Sequence, residues 1–128
     1  MNIYIKIIIA YLKIGLFGFG GGYAMLSLIQ REVVDSGWIS SQLFTDIVAI
    51  SQMTPGPIGI NSATYIGYAL TGSILGSIVA TITVVASPFA LILFAGHYIN
   101  RHKDSPYIKG AFMGLRPVVV GLIASAAL

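Results

Sequence analysis

The sequence has no cysteine. That absence excludes disulfides, thiol catalysis and cysteine-based metal sites, and it leaves the compartment open. Charge is nearly as scarce. Only 9% of the 128 residues are charged while 56% are hydrophobic, whereas a soluble domain carries about 25% charged residues. So little polar surface cannot cover a water-exposed globule. Also missing is the apolar–polar alternation of barrel strands. A bilayer offers no hydrogen-bond partners to free backbone groups, so its spans must be helices or a closed barrel, and the continuous apolar runs leave helices. The expected class is an all-α integral membrane protein, with residues 1–128 forming one domain.

Catalytic groupings are absent too. No nucleophile stands with a histidine and an acid, no carboxylates are paired for hydrolysis, and the glycines of 18–22 lack the lysine and hydroxyl residue of a phosphate loop, so no enzyme is expected. His97 and His102 fall in a hydrophilic loop without an obvious third ligand, so neither a metal nor another cofactor is expected. The 7 Lys+Arg against 4 Asp+Glu give a formal charge of +3. Arg101, Lys103 and Lys109 gather in that same loop, a distribution that sets membrane orientation and does not suggest nucleic acid.

What is present is a series of apolar runs with two conspicuous interruptions. The first run, Ile3 to Ile29, suits one tilted span, retained because no small-residue cleavage site follows it. Gly18, Gly20, Gly21 and Gly22 fall near its middle, where they predict a break or sharp bend. Lys6 and Lys13, seven residues apart, share a helix face before that break. Residues 30–37 turn polar and predict a short loop, with Trp38 as an interfacial anchor. Ser40 or Ser41 can cap the next helix, which cannot continue through Pro55, Gly56 and Pro57. Pro57 can instead open a new helix bearing Asn61, Thr64 and Tyr68 on one face. The stretch from Leu43 to Leu70 therefore reads as two half-helices, a re-entrant hairpin.

Ser73 to Gly96 is nearly free of charge and reads as a membrane helix kinked at Pro88. Gly72, Gly76 and Ala80, beside Ser73, Ser77 and Thr81, give it small-residue stripes that admit a close neighbour. After the loop of 100–107 come a short segment, Arg116 and Pro117, and an apolar run that reaches Leu128. The chain is expected to end within its last helix. In all, three to four membrane helices are expected, including broken or re-entrant halves. With the first helix counted as a crossing, the basic loop and the N-terminus fall on the same side.

Two interrupted apolar segments are the sequence mark of a transport site at the membrane midplane. A half-helix beginning there presents free amides and the positive end of its dipole, which favours an anion. The candidate lining is Gly20, Gly21 and Gly22 at the first break and Pro55, Gly56 and Pro57 at the second. Lys13, Gln52, Thr54 and Asn61 are the side-chain donors beside them. Asp46, about two helical turns before the second break, is the candidate proton carrier.

The strings KIGLFGFGGGYAM (13–25) and SQMTPGPIGIN (51–61) resemble those of the chromate transporter family, with further support from QREVV (30–34), GW (37–38) and LRPVVVG (115–121). The resemblance implies a multi-pass protein of the cell (inner) membrane that moves chromate or a sulfate-like oxyanion, with proton coupling as a further expectation. It also implies one half of an inverted-repeat transporter, paired as a homodimer or with a sister half-subunit. A transporter of another small solute, or a non-transporting membrane subunit, is the alternative.

Overall fold

The computed structural model describes residues 2–18 and 21–128, and every described element is helical. Six helices follow one another: α1 (Ile3–Phe17), α2 (Gly22–Val33), α3 (Ser41–Met53), α4 (Ile58–Thr71), α5 (Ile74–Arg101) and α6 (Pro106–Ala127). They divide into two compact units, Met1–Leu91 and Ile92–Leu128.

The first four helices are short. With 15, 12, 13 and 14 residues, each extends only about 18–22 Å at about 1.5 Å per residue, against a hydrocarbon core of about 30 Å. They are arranged as two helical hairpins. In the first, Lys13 meets Glu32, and a Cβ on Gly18 would lie 2.8 Å from Met25 Cε. Contacts that step forward on α1 and backward on α2 mean the helices run antiparallel. The expected single span of Ile3–Ile29 is thus corrected to a fold-back, because the chain reverses after Gly18 and does not merely bend. The expected loop at 30–37 is shorter than the sequence suggests, since α2 continues to Val33 and its Val34 cap amide still donates to Gln30 O at 2.8 Å.

The second hairpin turns at the Pro-Gly-Pro break. Ser40 caps α3, its Oγ accepting from the Leu43 amide at 3.1 Å. Met53 ends that helix and Ile58 begins the next. α4 then packs antiparallel on α5 through the small residues read in the sequence. A Cβ on Gly67 would strike the Gly76 carbonyl and come within 2.9 Å of Ala80 Cβ. Ser77 Oγ donates to Thr64 O at 2.9 Å, and the Thr64 and Thr81 hydroxyls lie 2.7 Å apart. Side chains this small let two backbones approach closely without a hydrophobic driving force. Tyr11, Ile14, Ile29, Ile66 and Val84 fill the core between hairpins and α5, while Ile5, Ile9 and Phe17 stay exposed on α1. An apolar outer surface around a packed interior is what lipid as solvent requires.

Among the described residues, α5 and α6 are the two helices long and apolar enough to cross a membrane. α5 and α6 trim the expected loop at 100–107 to residues 102–105: α5 runs to Arg101, and the following helix starts at Pro106. His97 lies inside α5, and His102 stacks on Tyr98 with ring centroids 4.5 Å apart. The expected interruption at Arg116–Pro117 is also absent, because α6 is continuous with Pro117 inside it. Pro106 occupies a first-turn position where no amide is needed. A single internal proline removes one hydrogen bond, whereas unwinding the helix would free several in an apolar medium.

Candidate functional site

Gly18 closes α1, and Gly21 precedes α2 with φ +94, a backbone conformation that side chains resist. Met25 is the first amide of α2 with a helical acceptor, donating to Gly21 O at 3.1 Å, and no side chain caps the helix. The amides of its first turn are therefore unpaired within the helix. The second break has the same character. Pro57 caps α4 without a side-chain bond, its carbonyl receives Ile60 N at 3.1 Å and Asn61 N at 3.0 Å, and the Ile58 and Gly59 amides have no partner among the described residues.

The two breaks meet. A Cβ on Gly22 would lie 3.7 Å from Ile58 Cβ, and one on Gly59 would strike Met25 Sδ. Between them is a cavity of about 510 Å³ lined by Gly18, Gly21, Gly22 and Met25 from the first hairpin, Gly56 through Ile60 from the second, and Val84, Val85 and Pro88 of α5. Pro88 is the fifteenth of the 28 residues of α5, so the cavity sits at half its length. Two uncapped helix starts, each equivalent to about half a positive charge, thus border one cavity at mid-height of the longest helix.

Of the residues singled out in the sequence, Gly21, Gly22, Gly56 and Pro57 line this cavity. Gly20 lies outside the described residues. Lys13 lines a different cavity on the outer side of the first hairpin, where its Nζ is 3.6 Å from Glu32 Oε1. Gln52 and Pro55 are exposed, neither bordering the cavity. Thr54 Oγ1 donates to Ile50 O at 2.8 Å and meets the Tyr65 hydroxyl at 3.2 Å. Asn61 Nδ2 donates to the Ser51 and Thr54 carbonyls, so its amide ties the break together. Asp46 is exposed on α3 and accepts from Gln42 Nε2 at 3.2 Å.

Gly18, part of the first break, also borders it, and Met25, Ile58, Gly59, Ile60, Val84 and Val85 line it without having been legible as site residues. An apolar side chain next to a break carries no mark that separates cavity wall from core. Pro88 did stand out, but as a kink.

The family described as Chromate transporter matches residues 5–128. The chain is 38% identical over 117 residues to the uncharacterized transporter YwrA of Bacillus subtilis, covering 90% of this chain and 65% of that protein. It is 28% identical over 123 residues to the chromate transport protein of Cupriavidus metallidurans, and 30% identical over 126 residues to that of Pseudomonas aeruginosa. These alignments cover 95% and 96% of this chain but 30% of each of those longer proteins. No solved structure matches the chain.

Proposed function

Because this chain belongs to the chromate transporter family, we propose that it carries an oxyanion through the membrane and holds it in the cavity between the Gly18–Gly22 and Pro55–Pro57 breaks. The observation carrying this reading is that two uncapped helix starts, α2 and α4, border the same cavity halfway along α5. Backbone amides bind an anion with no cationic side chain that would hold it too long. The substrate is chromate or a sulfate-like dianion, taken up by the amides of Gly22, Ile58 and Gly59. Gly20, between Gly18 and Gly21 in the sequence, belongs to the same proposed cradle.

The side-chain donors act at one remove. Asn61 and Thr54 hold the second break in shape, with Pro55 fixing the turn, while Gln52 and Lys13 attend the path beyond the cavity. Asp46 is the proposed proton carrier for a proton-linked cycle. The cavity is open, and the chain covers only 30% of its long relatives. We therefore place a second copy or a sister half-subunit against it in a multi-pass assembly of the cell membrane.

A second reading draws on the cavity walls. Met25, Ile58, Ile60, Val84 and Val85 are apolar, which suits a seat for a partner's helix in a non-transporting subunit. Uptake into vesicles separates the two. Chromate or sulfate should accumulate, with chromate and sulfate competing and with a rate that responds to an imposed pH gradient. A chain that inserts and assembles but gives no uptake with either anion, whatever its partner, would overturn the transport reading in favour of the subunit.

A further inference from the structure

The α1–α2 hairpin bears a second cavity outside the proposed oxyanion site. It measures about 480 Å³ and is lined by Lys13, Arg31, Glu32 and Asp35 around Ile14, Phe17 and Leu28. Two cations and two carboxylates cancel, and that balance decides the ligand class. A simple anion would meet both carboxylates and a simple cation would meet both positive groups, each at a cost that offsets the attraction. A short ligand bearing both signs finds a partner for each.

The charges are also available. The Lys13–Glu32 contact is single and loose at 3.6 Å, with the side chains 54% and 31% exposed. At that distance it is not a hydrogen bond, so the three donors of the lysine ammonium are not taken up by Glu32. Among the described residues, Arg31 and Asp35 enter no ion pair. Next to this cavity lies a smaller one of about 200 Å³, which shares Lys13 and Glu32 and adds Lys6, Ile9, Ala10 and Trp38. An indole beside lysines is the pattern of the headgroup level of a membrane. Exposed Ile9, Leu12 and Phe17 continue the surface along α1.

We infer that this groove binds a phospholipid with a phosphoethanolamine headgroup. The phosphate sits between Lys13 and Arg31, whose planar fork suits its oxygens. The primary ammonium lies between Glu32 and Asp35 and gives each an N–H donor. The acyl chains run over Phe17 and Leu28. A quaternary ammonium has no N–H to offer the carboxylates, and a glycerol headgroup has no positive charge, so both fit less well. None of this depends on the transport reading.

Trp38 is the only tryptophan, and it reports the site from the adjoining cavity that shares Lys13 and Glu32. The purified chain in detergent would be titrated with short-chain phosphatidylethanolamine, phosphatidylcholine and phosphatidylglycerol while its fluorescence is followed. The ethanolamine lipid should bind about tenfold tighter than the other two, as expected for a charge-assisted hydrogen bond made by it alone. Glu32→Gln, and independently Asp35→Asn, should abolish its preference over the choline lipid. Arg31→Gln should weaken all three about tenfold through the shared phosphate. Lys103→Gln, far along the chain, should change nothing. Equal binding of choline and ethanolamine lipids, or a preference that survives both carboxylate variants, would overturn the proposal. So would free phosphoethanolamine binding as tightly as the lipid, which would make the ligand a soluble zwitterion.

Discussion

Asn61 reaches back across the break that precedes it, its Nδ2 donating to the carbonyl oxygen of Thr54 at 3.1 Å. The same group also donates to Ser51 O at 3.3 Å. Carbonyls at the end of α3 have lost their helical donors, and a side chain from the next helix supplies one. Asn61→Ala should lower stability by about 1–3 kcal/mol, the range for a part-buried polar group left without its partner. Asn61→Asp should cost more, because an acceptor would then face two acceptors. Thermal unfolding in detergent measures both, and an Asn61→Asp variant as stable as the parent would show that the bridge carries no weight.

Gly67 and Gly76 decide how near α4 comes to α5. A Cβ on Gly67 would meet the backbone carbonyl of Gly76, which cannot swing aside, whereas one on Gly96 meets nothing within 4 Å. Gly67→Ala should therefore destabilise by about 1–3 kcal/mol. Gly96→Ala should be neutral or stabilise by a few tenths, as helix propensity alone predicts about 1 kcal/mol at most. Comparing the two melting temperatures tests whether packing or propensity governs these glycines.

Gly22 offers a way to fill the proposed anion site without disturbing the core. The nearest atom to a Cβ there is Ile58 Cβ at 3.7 Å, an ordinary contact. Gly22→Leu should leave expression intact and reduce oxyanion uptake by about tenfold or more by occupying the space before the free amides. Gly21→Ala is a different perturbation, since φ +94 is strained for any side chain, and should cost about 1 kcal/mol of stability. Uptake by the Gly22 variant at the parental rate would place the substrate elsewhere.

Tyr11 is fully buried with a hydroxyl that has no hydrogen-bond partner among the described residues. Burying a hydroxyl without a bond costs about 1–3 kcal/mol. Tyr11→Phe keeps the ring and should raise stability by about 1 kcal/mol, read as a higher melting temperature. A lower one would mean that the hydroxyl is bound in the membrane, for instance by an internal water.

The two hairpins change the crossing count. Between the α2–α3 turn and the turn after α5, α5 is the one helix long and apolar enough to cross. Ser36 and Asp104, both exposed, should therefore lie at opposite membrane faces. The absence of native cysteine makes Ser36→Cys and Asp104→Cys clean single labels for a membrane-impermeant thiol reagent. Labelling of both from one side would mean that α3 and α4 together cross as well, while an Asn2→Cys label on the face opposite Ser36 would restore the count in which the first run crosses.

Both interruptions were legible because they are written in backbone chemistry. Glycines near Gly18 and prolines around Gly56 act on their own and adjacent residues, wherever the rest of the chain goes. The capping of α3 by Ser40 and the small-residue face of α5 are equally local. Roles that need a distant partner were not legible. Lys13 reads as a donor at the first break, whereas the structure sets it beside Glu32 in a different cavity, and Asn61 reads as a donor to solute, whereas its amide donates to the Ser51 and Thr54 carbonyls. Arg116–Pro117 looked like a stop, yet the helix runs through it, since in lipid an unwound turn has no solvent to satisfy it.

The sequence by itself determined the solvent, the helical class and the places where helices must fail, because those follow from transfer energies and from φ, ψ and amide hydrogens residue by residue. Tertiary structure alone decided that each failure becomes a reversal, that the two reversals meet against Val84 and Pro88, and which polar side chains are consumed in holding them. Those outcomes depend on how α1, α4 and α5 pack, through contacts such as Gly67 on Gly76, and packing couples residues whose separation in the chain carries no local signal.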